Sequence, residues 1–363
     1  MKRYSYREAA PLLRSHGRTW TDGERLHFNW SCSGFELLFE GSFLAADFEA
    51  ACTRELEGLP FDTEAPSHEV WPWIAVFLDG DEMPCRRFEC ARTRGTEILF
   101  ASEKPERHRI RVVKLTENLK TYAALSSLSL EGTLLPLLEE KRPVIELIGD
   151  SITCGFGNES RERDRFFFSE DENGWLSHGA IAARKLGMDW SMVCISGITL
   201  GPREGFPLPY VTNALYCDAD RPGQERAGHR VEPWDFAAHP ADYVVVNLGT
   251  NDANAISLAA EPAEMEAAFD RDYVAFLKLL RRCNGPRTHI ICALGSMDYY
   301  LFDNIAEAVR AYRTETGDEA VSLLKYMRIS PADPLGACAH PNIVTQEKMA
   351  DALAEHIRAL QSR

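Results

Sequence analysis

Val144-Ile145-Glu146-Leu147-Ile148-Gly149-Asp150-Ser151-Ile152-Thr153 joins a mostly apolar strand to a tight turn that carries an acid and a hydroxyl. Apolar runs of this kind mark strands buried in a parallel sheet. The chain downstream keeps alternating. Trp175 to Leu186 reads as a helix, with Ala180, Ile181, Ala183 and Leu186 at helical spacing, and Asp189 to Ile195 as a strand. Tyr243-Val244-Val245-Val246-Asn247-Leu248 is a buried strand. Pro262 to Asn284 is a long amphipathic helix stopped by Asn284-Gly285-Pro286. His289 to Leu294 is a further strand, and Ile305 to Thr314 and Thr345 to Gln361 are helices. Strands alternating with helices predict a doubly wound parallel α/β/α sheet, in which ligand sites gather at the carboxyl ends of the strands.

Upstream the pattern differs. Leu26 to Trp30, Phe35 to Phe39, Phe43 to Glu49, Trp73 to Leu78, Thr96 to Phe100, Arg109 to Leu115 and Ala124 to Leu130 read as short strands. Turn signals separate them at Thr21-Asp22-Gly23, Ser33-Gly34, Glu40-Gly41 and Asp79-Gly80-Asp81, and Glu64 to Trp73 reads as a longer loop or irregular edge. Short strands with regular turn punctuation predict a β-sandwich. The charged, proline-flanked run from Pro136 to Pro143, through Glu139-Glu140-Lys141-Arg142, marks a boundary between a sandwich over 1–137 and an α/β domain over 143–363.

With 363 residues, two domains are the natural division. A net charge of −15 without a basic stripe excludes nucleic acid and anionic membrane as partners and suits a neutral substrate. Arg7 and Glu8 interrupt any secretory core, and no apolar run reaches the roughly 18–20 residues of a membrane span. The ten cysteines are irregularly spaced with no Cys-x-x-Cys pair. In a chain without a visible secretory signal they read as reduced thiols, most of them small buried residues rather than a zinc site, and the same lack of a signal leads to the expectation of a cytoplasmic location.

Three segments fall at the ends of strands in the second domain: Gly149-Asp150-Ser151-Ile152, Ser196-Gly197 and Gly249-Thr250-Asn251-Asp252. His340-Pro341-Asn342 precedes the last helix. Ser151, at a strand-to-turn junction, is the candidate nucleophile, and it needs a base to lose its proton. His340 is the candidate base, since imidazole titrates near neutrality. His178 and His239 are bystanders in the same domain. The N–H groups of Ser151 and Gly197 and the Asn251 amide are candidate donors to an oxyanion. Each segment has a plain alternative as a helix cap or a turn, and the set in this order outweighs those alternatives. Cys154, three residues past Ser151, reads as packing rather than as a thiol nucleophile. Trp234 is a candidate ligand-binding aromatic, with interdomain or core packing as an equal alternative. Tyr210 and Tyr216 lie in a long loop, Gly201 to Glu232, of a length that often covers a site.

These segments resemble the Ser, Gly, Asn and His blocks of the SGNH, or GDSL-type, hydrolases. Together with Gly17-Arg18-Thr19, Ser33-Gly34-Phe35-Glu36 and Pro233-Trp234-Asp235-Phe236, the whole chain is similar to carbohydrate esterase family two. That resemblance implies a jelly-roll sandwich followed by an SGNH domain. It also implies removal of acetyl groups from xylan, mannan or related oligosaccharides, without a metal or organic cofactor.

One departure bears on mechanism. The family often carries Gly-Ala-Asp-x-His-Pro, and this chain reads Gly336-Ala337-Cys338-Ala339-His340-Pro341. A thiol is a poor replacement for the carboxylate that orients the imidazole. Two arrangements stay open: a Ser-His dyad oriented by a backbone carbonyl, or Asp333 acting as a displaced acid. The dyad is favoured, because Asp333 lies between Pro331 and Pro334 in what reads as a rigid turn. The sandwich is expected to brace the catalytic domain rather than bind sugar. The rival activities are an SGNH lipase or thioesterase and an inactive carbohydrate-binding relative. A higher oligomer is compatible with the sequence.

Overall fold

The structure is a computed structural model that describes residues 1–57, 64–138, 141–204 and 208–362. Glu139 and Glu140 of the expected linker lie outside the described residues, as do 205–207 of the long loop.

The N-terminal half opens with β1 (Lys2–Ser5), α1 (Tyr6–Ala9), β2 (Leu13–His16), β3 (Trp20–Thr21) and β4 (Leu26–His27). It continues with β5 (Gly34–Leu56), β6 (Ser67–Val70), β7 (Trp73–Leu78), β8 (Arg86–Glu89), β9 (Arg94–Lys114) and β10 (Thr121–Leu135). All pairings are antiparallel, with β5 between β9 and β10. Phe28, Phe35, Phe48, Val76, Ile110, Val112 and Leu125 lie in one apolar core.

Two pairs of expected short strands are merged into long ones, and the turn expected at Glu40-Gly41 is absent. Phe35–Phe39 and Phe43–Glu49 belong to the single strand β5, and Thr96–Phe100 and Arg109–Leu115 both fall in or at the end of β9. Glu40-Gly41 is a crossing point, not a turn. Gly41 faces Gly132 of β10, where the register shifts, and a Cβ on Gly41 would sit 2.2 Å from the Glu131 carbonyl oxygen. The glycine permits close approach of two backbones at a bulge. Asp79-Gly80 does turn, with both residues at positive φ. Ser67–Val70, inside the expected irregular edge, is a strand paired with the end of β5.

The C-terminal half begins with β11 (Val144–Gly149), α2 (Ser151–Cys154), α3 (His178–Lys185), β12 (Asp189–Cys194), α4 (Thr212–Leu215) and α5 (Arg221–Arg226). It continues with β13 (Tyr243–Asn247), α6 (Thr250–Leu258), α7 (Pro262–Asn284), β14 (His289–Leu294), α8 (Phe302–Thr316), β15 (Val321–Lys325) and α9 (Ile343–Gln361). The sheet is parallel, in the order β12-β11-β13-β14-β15. Alternate residues of the strands face opposite layers: Ile148, Val193 and Val244 pack with α7 and α8, whereas Leu147, Met192 and Val245 pack with α3 and α9. The buried stripe of α7 is Phe269, Tyr273, Phe276, Leu277 and Leu280, and such burial stabilises by about 1.5–3 kcal/mol per side chain.

The two halves share their interior. Trp30 of the sandwich belongs to one core of the catalytic half, and Phe77, Val113 and Leu115 belong to the other. Arg18 is wholly buried, with Nη2 3.0 Å from Glu146 Oε1 of β11. Asp220 accepts hydrogen bonds from Trp20 Nε1 (2.8 Å) and Asn118 Nδ2 (2.7 Å), and from Asn29 Nδ2.

Candidate active site

β11 delivers Gly149, and the chain turns at once into α2. Asp150 caps this turn, its Oδ1 accepting the Ile152 N–H at 3.0 Å, so Ser151 opens the helix. Gly149 is required for space: a Cβ there would lie 2.0 Å from Thr153 Oγ1. The Ser151 side chain retains access to the surface, at 9 % exposure.

His340 reaches Ser151 from the segment before α9, with Nε2 2.9 Å from Ser151 Oγ. The other ring nitrogen, Nδ1, lies 3.1 Å from the Cys338 carbonyl and 3.2 Å from the Ala337 carbonyl. No carboxylate among the described residues takes that place. Asp333 closes its own turn, its N–H donating to the Ser330 carbonyl, and both its oxygens accept from Lys348 Nζ, at 2.6 and 2.7 Å. The Cys338 thiol points elsewhere, donating to the Arg165 carbonyl at 3.5 Å. Cys338 and Ala339 both have positive φ, 50° and 59°. The segment is held in this uncommon conformation by its neighbours: the N–H groups of Ala337, Cys338 and Ala339 donate to the carbonyls of Gly157, Arg165 and Arg163. Burial pulls the His340 pKa down to about 4; the two carbonyls oppose this and nearby Lys120 adds to it. The imidazole is therefore neutral at pH 7 and able to accept a proton.

Gly197 follows β12 and Asn251 lies at the start of α6, after β13. These strands flank β11 on either side, so the two loops meet the Ser151 turn at the carboxyl edge of the sheet. Gly197 has φ 80°. The N–H groups of Ser151 and Gly197 find no acceptor among the described residues. Asn251 Nδ2 donates to the Ile198 carbonyl at 3.0 Å, which fixes the amide beside Gly197 and leaves its second N–H free for a ligand. Beneath them, Asp252 accepts from Arg203 Nε at 2.8 Å and from the Leu200 N–H. Burial raises Asp252 to about 6 against the pull of Arg203, and raises Asp150 to about 7.

Trp234 is placed elsewhere. It stacks on His239, with ring centroids 4.4 Å apart, and faces the Arg18 guanidinium. Its neighbour Phe236 packs on Tyr216, whose hydroxyl donates to Glu146 and accepts from Asn284, just before β14. That is the amino-terminal side of the sheet, within the interface between halves. Tyr216 is buried in the same place, and Tyr210 donates to Glu225. From the long loop it is Leu208 that approaches the site, 3.3 Å from where a Gly197 Cβ would stand.

Some site neighbours escaped the sequence reading. Phe156 packs on the His340 ring at 4.4 Å and stacks on Phe167 at 4.5 Å, with Lys120 of the sandwich over Phe167. The Phe166-Phe167-Phe168 run was the available signal. Gln346 accepts the His178 N–H and donates to the Ile152 carbonyl at 2.9 Å, bracing α2 from α9. No sequence pattern marks it.

Residues 147–352 match the GDSL-like Lipase/Acylhydrolase family, and residues 15–137 match the carbohydrate esterase 2 N-terminal domain. The chain is 29 % identical over 340 residues to the Cellulase/esterase CelE of Acetivibrio thermocellus, covering 91 % of this chain and 37 % of that protein. It therefore spans little more than a third of that relative. It is 24 % identical to an acetylxylan esterase / glucomannan deacetylase of Cellvibrio japonicus, covering 91 % of this chain and 85 % of that one. Among solved structures, a family two carbohydrate esterase from Clostridium thermocellum in complex with cellohexaose superposes with a TM-score of 0.80 at 26 % identity, covering 96 % of this chain and 99 % of that chain.

Proposed function

The chain belongs to the GDSL-like lipase/acylhydrolase family, and from that premise we propose that it is a serine esterase that removes O-acetyl groups from plant-type oligo- or polysaccharides. The observation that carries this reading is the 2.9 Å contact between His340 Nε2 and Ser151 Oγ, with Nδ1 on backbone carbonyls. The names of the relatives, esterases of acetylxylan and glucomannan among them, support the substrate class.

In this mechanism Ser151 Oγ attacks the acetyl carbonyl carbon while His340 Nε2 takes its proton. The carbonyl π electrons move to oxygen, and the N–H groups of Ser151 and Gly197 with the free N–H of Asn251 bind the oxyanion. Such donors are typically worth about 2.7–4 kcal/mol each when aimed at the developing charge. The carbonyls of Ala337 and Cys338 orient the ring and accept the hydrogen bond from Nδ1–H of the imidazolium, the orienting task a carboxylate performs in a triad. Collapse of the intermediate expels the sugar oxygen, which takes the proton from His340. Water, deprotonated by His340, then attacks the acetyl-Ser151 ester; the acyl–Oγ bond breaks, His340 returns its proton to Ser151 Oγ, and acetate leaves. An intracellular role on imported acetylated oligosaccharides belongs to the same reading, and fractionation of the source cells checks it.

Ser151→Ala is expected to abolish acetate release from an aryl acetate and from acetylated xylo- and manno-oligosaccharides, with the thermal transition unchanged. Undiminished turnover would refute the assignment, and turnover rising with acyl chain length would shift it to a lipase.

A further inference from the structure

We propose that Glu117, a residue of the sandwich, is a positioning residue for the oxyanion site of the catalytic half; this rests on the esterase reading above. Glu117 lies between β9 and β10 and is fully buried. Its Oε2 accepts the N–H of Ser196 at 2.6 Å, one residue before Gly197. The same oxygen lies 3.8 Å from the Cys154 thiol, in the helix that Ser151 opens. One carboxylate from the other domain thus touches both the turn carrying Gly197 and the helix carrying the nucleophile.

The backbone that carries this carboxylate is itself fixed. Lys114 Nζ donates to the carbonyls of Asn29, Thr116 and Glu117 at 2.7–2.9 Å, and Thr121 Oγ1 donates to the Glu117 carbonyl. The Glu117 N–H donates to Glu172 Oε2 at 2.9 Å. Burial and then the Glu117 charge push the Glu172 carboxyl well above its usual range. Burial raises the Glu117 carboxyl, and Lys120 and then the hydrogen bond from Ser196 oppose this, so the Ser196 contact favours the charged form of Glu117. Buried ionic groups are often replaceable by apolar ones without loss of stability, so such a group is explained by what it holds in place.

Amide exchange and kinetics test this on the full chain. The Ser196 N–H is expected to exchange slowly in the wild type and in Glu117→Gln, whose amide oxygen still accepts, and quickly in Glu117→Met. With an aryl acetate, Glu117→Met should lose about ten- to a hundredfold in kcat with KM within about twofold, and Glu117→Gln should stay within about threefold of wild type. The proposal is overturned by fast Ser196 exchange in the wild type, by a folded Glu117→Met that turns over at the wild-type rate, or by equal losses in the two variants. Stoichiometric metal in the purified protein, bound by the Glu117, Cys154 and Glu172 cluster, would also overturn it. Protected Ser196 in a wild type that releases no acetate supports the positioning and sinks the esterase reading instead.

Discussion

His340 needs a partner at Nδ1, and the chain supplies it from its own backbone. The carbonyls of Ala337 and Cys338 face the ring because Cys338 and Ala339 take positive φ. The side chain at 338 is then free of any catalytic duty. Cys338→Ala and Asp333→Asn should each leave kcat within about threefold of wild type, measured as acetate release; a loss of several hundredfold in Asp333→Asn would restore the displaced-acid arrangement. The same ring predicts a pH profile. Its folded pKa lies near 4, below the usual 6.5, so the neutral base persists as pH falls through 6. The acid limb of kcat/KM should be centred near pH 4, and a limb near 6.5 would contradict the burial argument. At this scale Ser151, Gly197, Asn251 and His340 were readable as chemically apt residues at strand ends. The reach of Asp333 toward Lys348 and the site of Trp234 were not, because side-chain direction across long sequence separations leaves no local pattern.

Elements explain where the nucleophile stands. β11 ends at a glycine whose missing Cβ lets Thr153 fold back against the strand. Gly149→Ala should displace α2 and cost about tenfold or more in kcat, since misplacement of reacting groups by an ångström weighs heavily on rate; a variant with wild-type turnover would show that α2 adapts. Pro262–Asn284 and His289–Leu294 were legible to the residue, because amphipathic period, proline start and Asn-Gly-Pro stop agree. The long strands β5 and β9 were not. Glycine inside them reads as a turn when its use is a close crossing of two strands. The half-exposed edge strand β15 and the helix α6, which starts inside the Gly-Thr-Asn-Asp segment, carry little signal of their own.

At the scale of the molecule, the sandwich and the parallel sheet are held by buried polar groups as well as by apolar packing. Arg18 pairs with Glu146 and also donates to the carbonyls of Tyr216 and Asp218. Arg18→Met leaves Glu146 buried without its cation and should cost about 3–5 kcal/mol in urea unfolding, with Arg18→Met/Glu146→Met recovering part of it; an unchanged midpoint would mean that water reaches Glu146. The two-domain division was legible from the change of pattern near Pro136. The depth of the junction was not, since motifs such as Gly17-Arg18-Thr19 and Pro233-Trp234-Asp235-Phe236 give no hint that they face each other. Asp220 shows what this means for inheritance. Its carboxylate is met by Trp20, Asn29 and Asn118 of the sandwich, and Trp30 fills the core behind it. Recombination that carried the parallel sheet into another gene without its sandwich would deliver a buried anion stripped of its donors and a hole the size of an indole. In this chain the two halves are fitted to each other, and a recombination that kept both together would keep the Asp220 donors and the Trp30 packing intact.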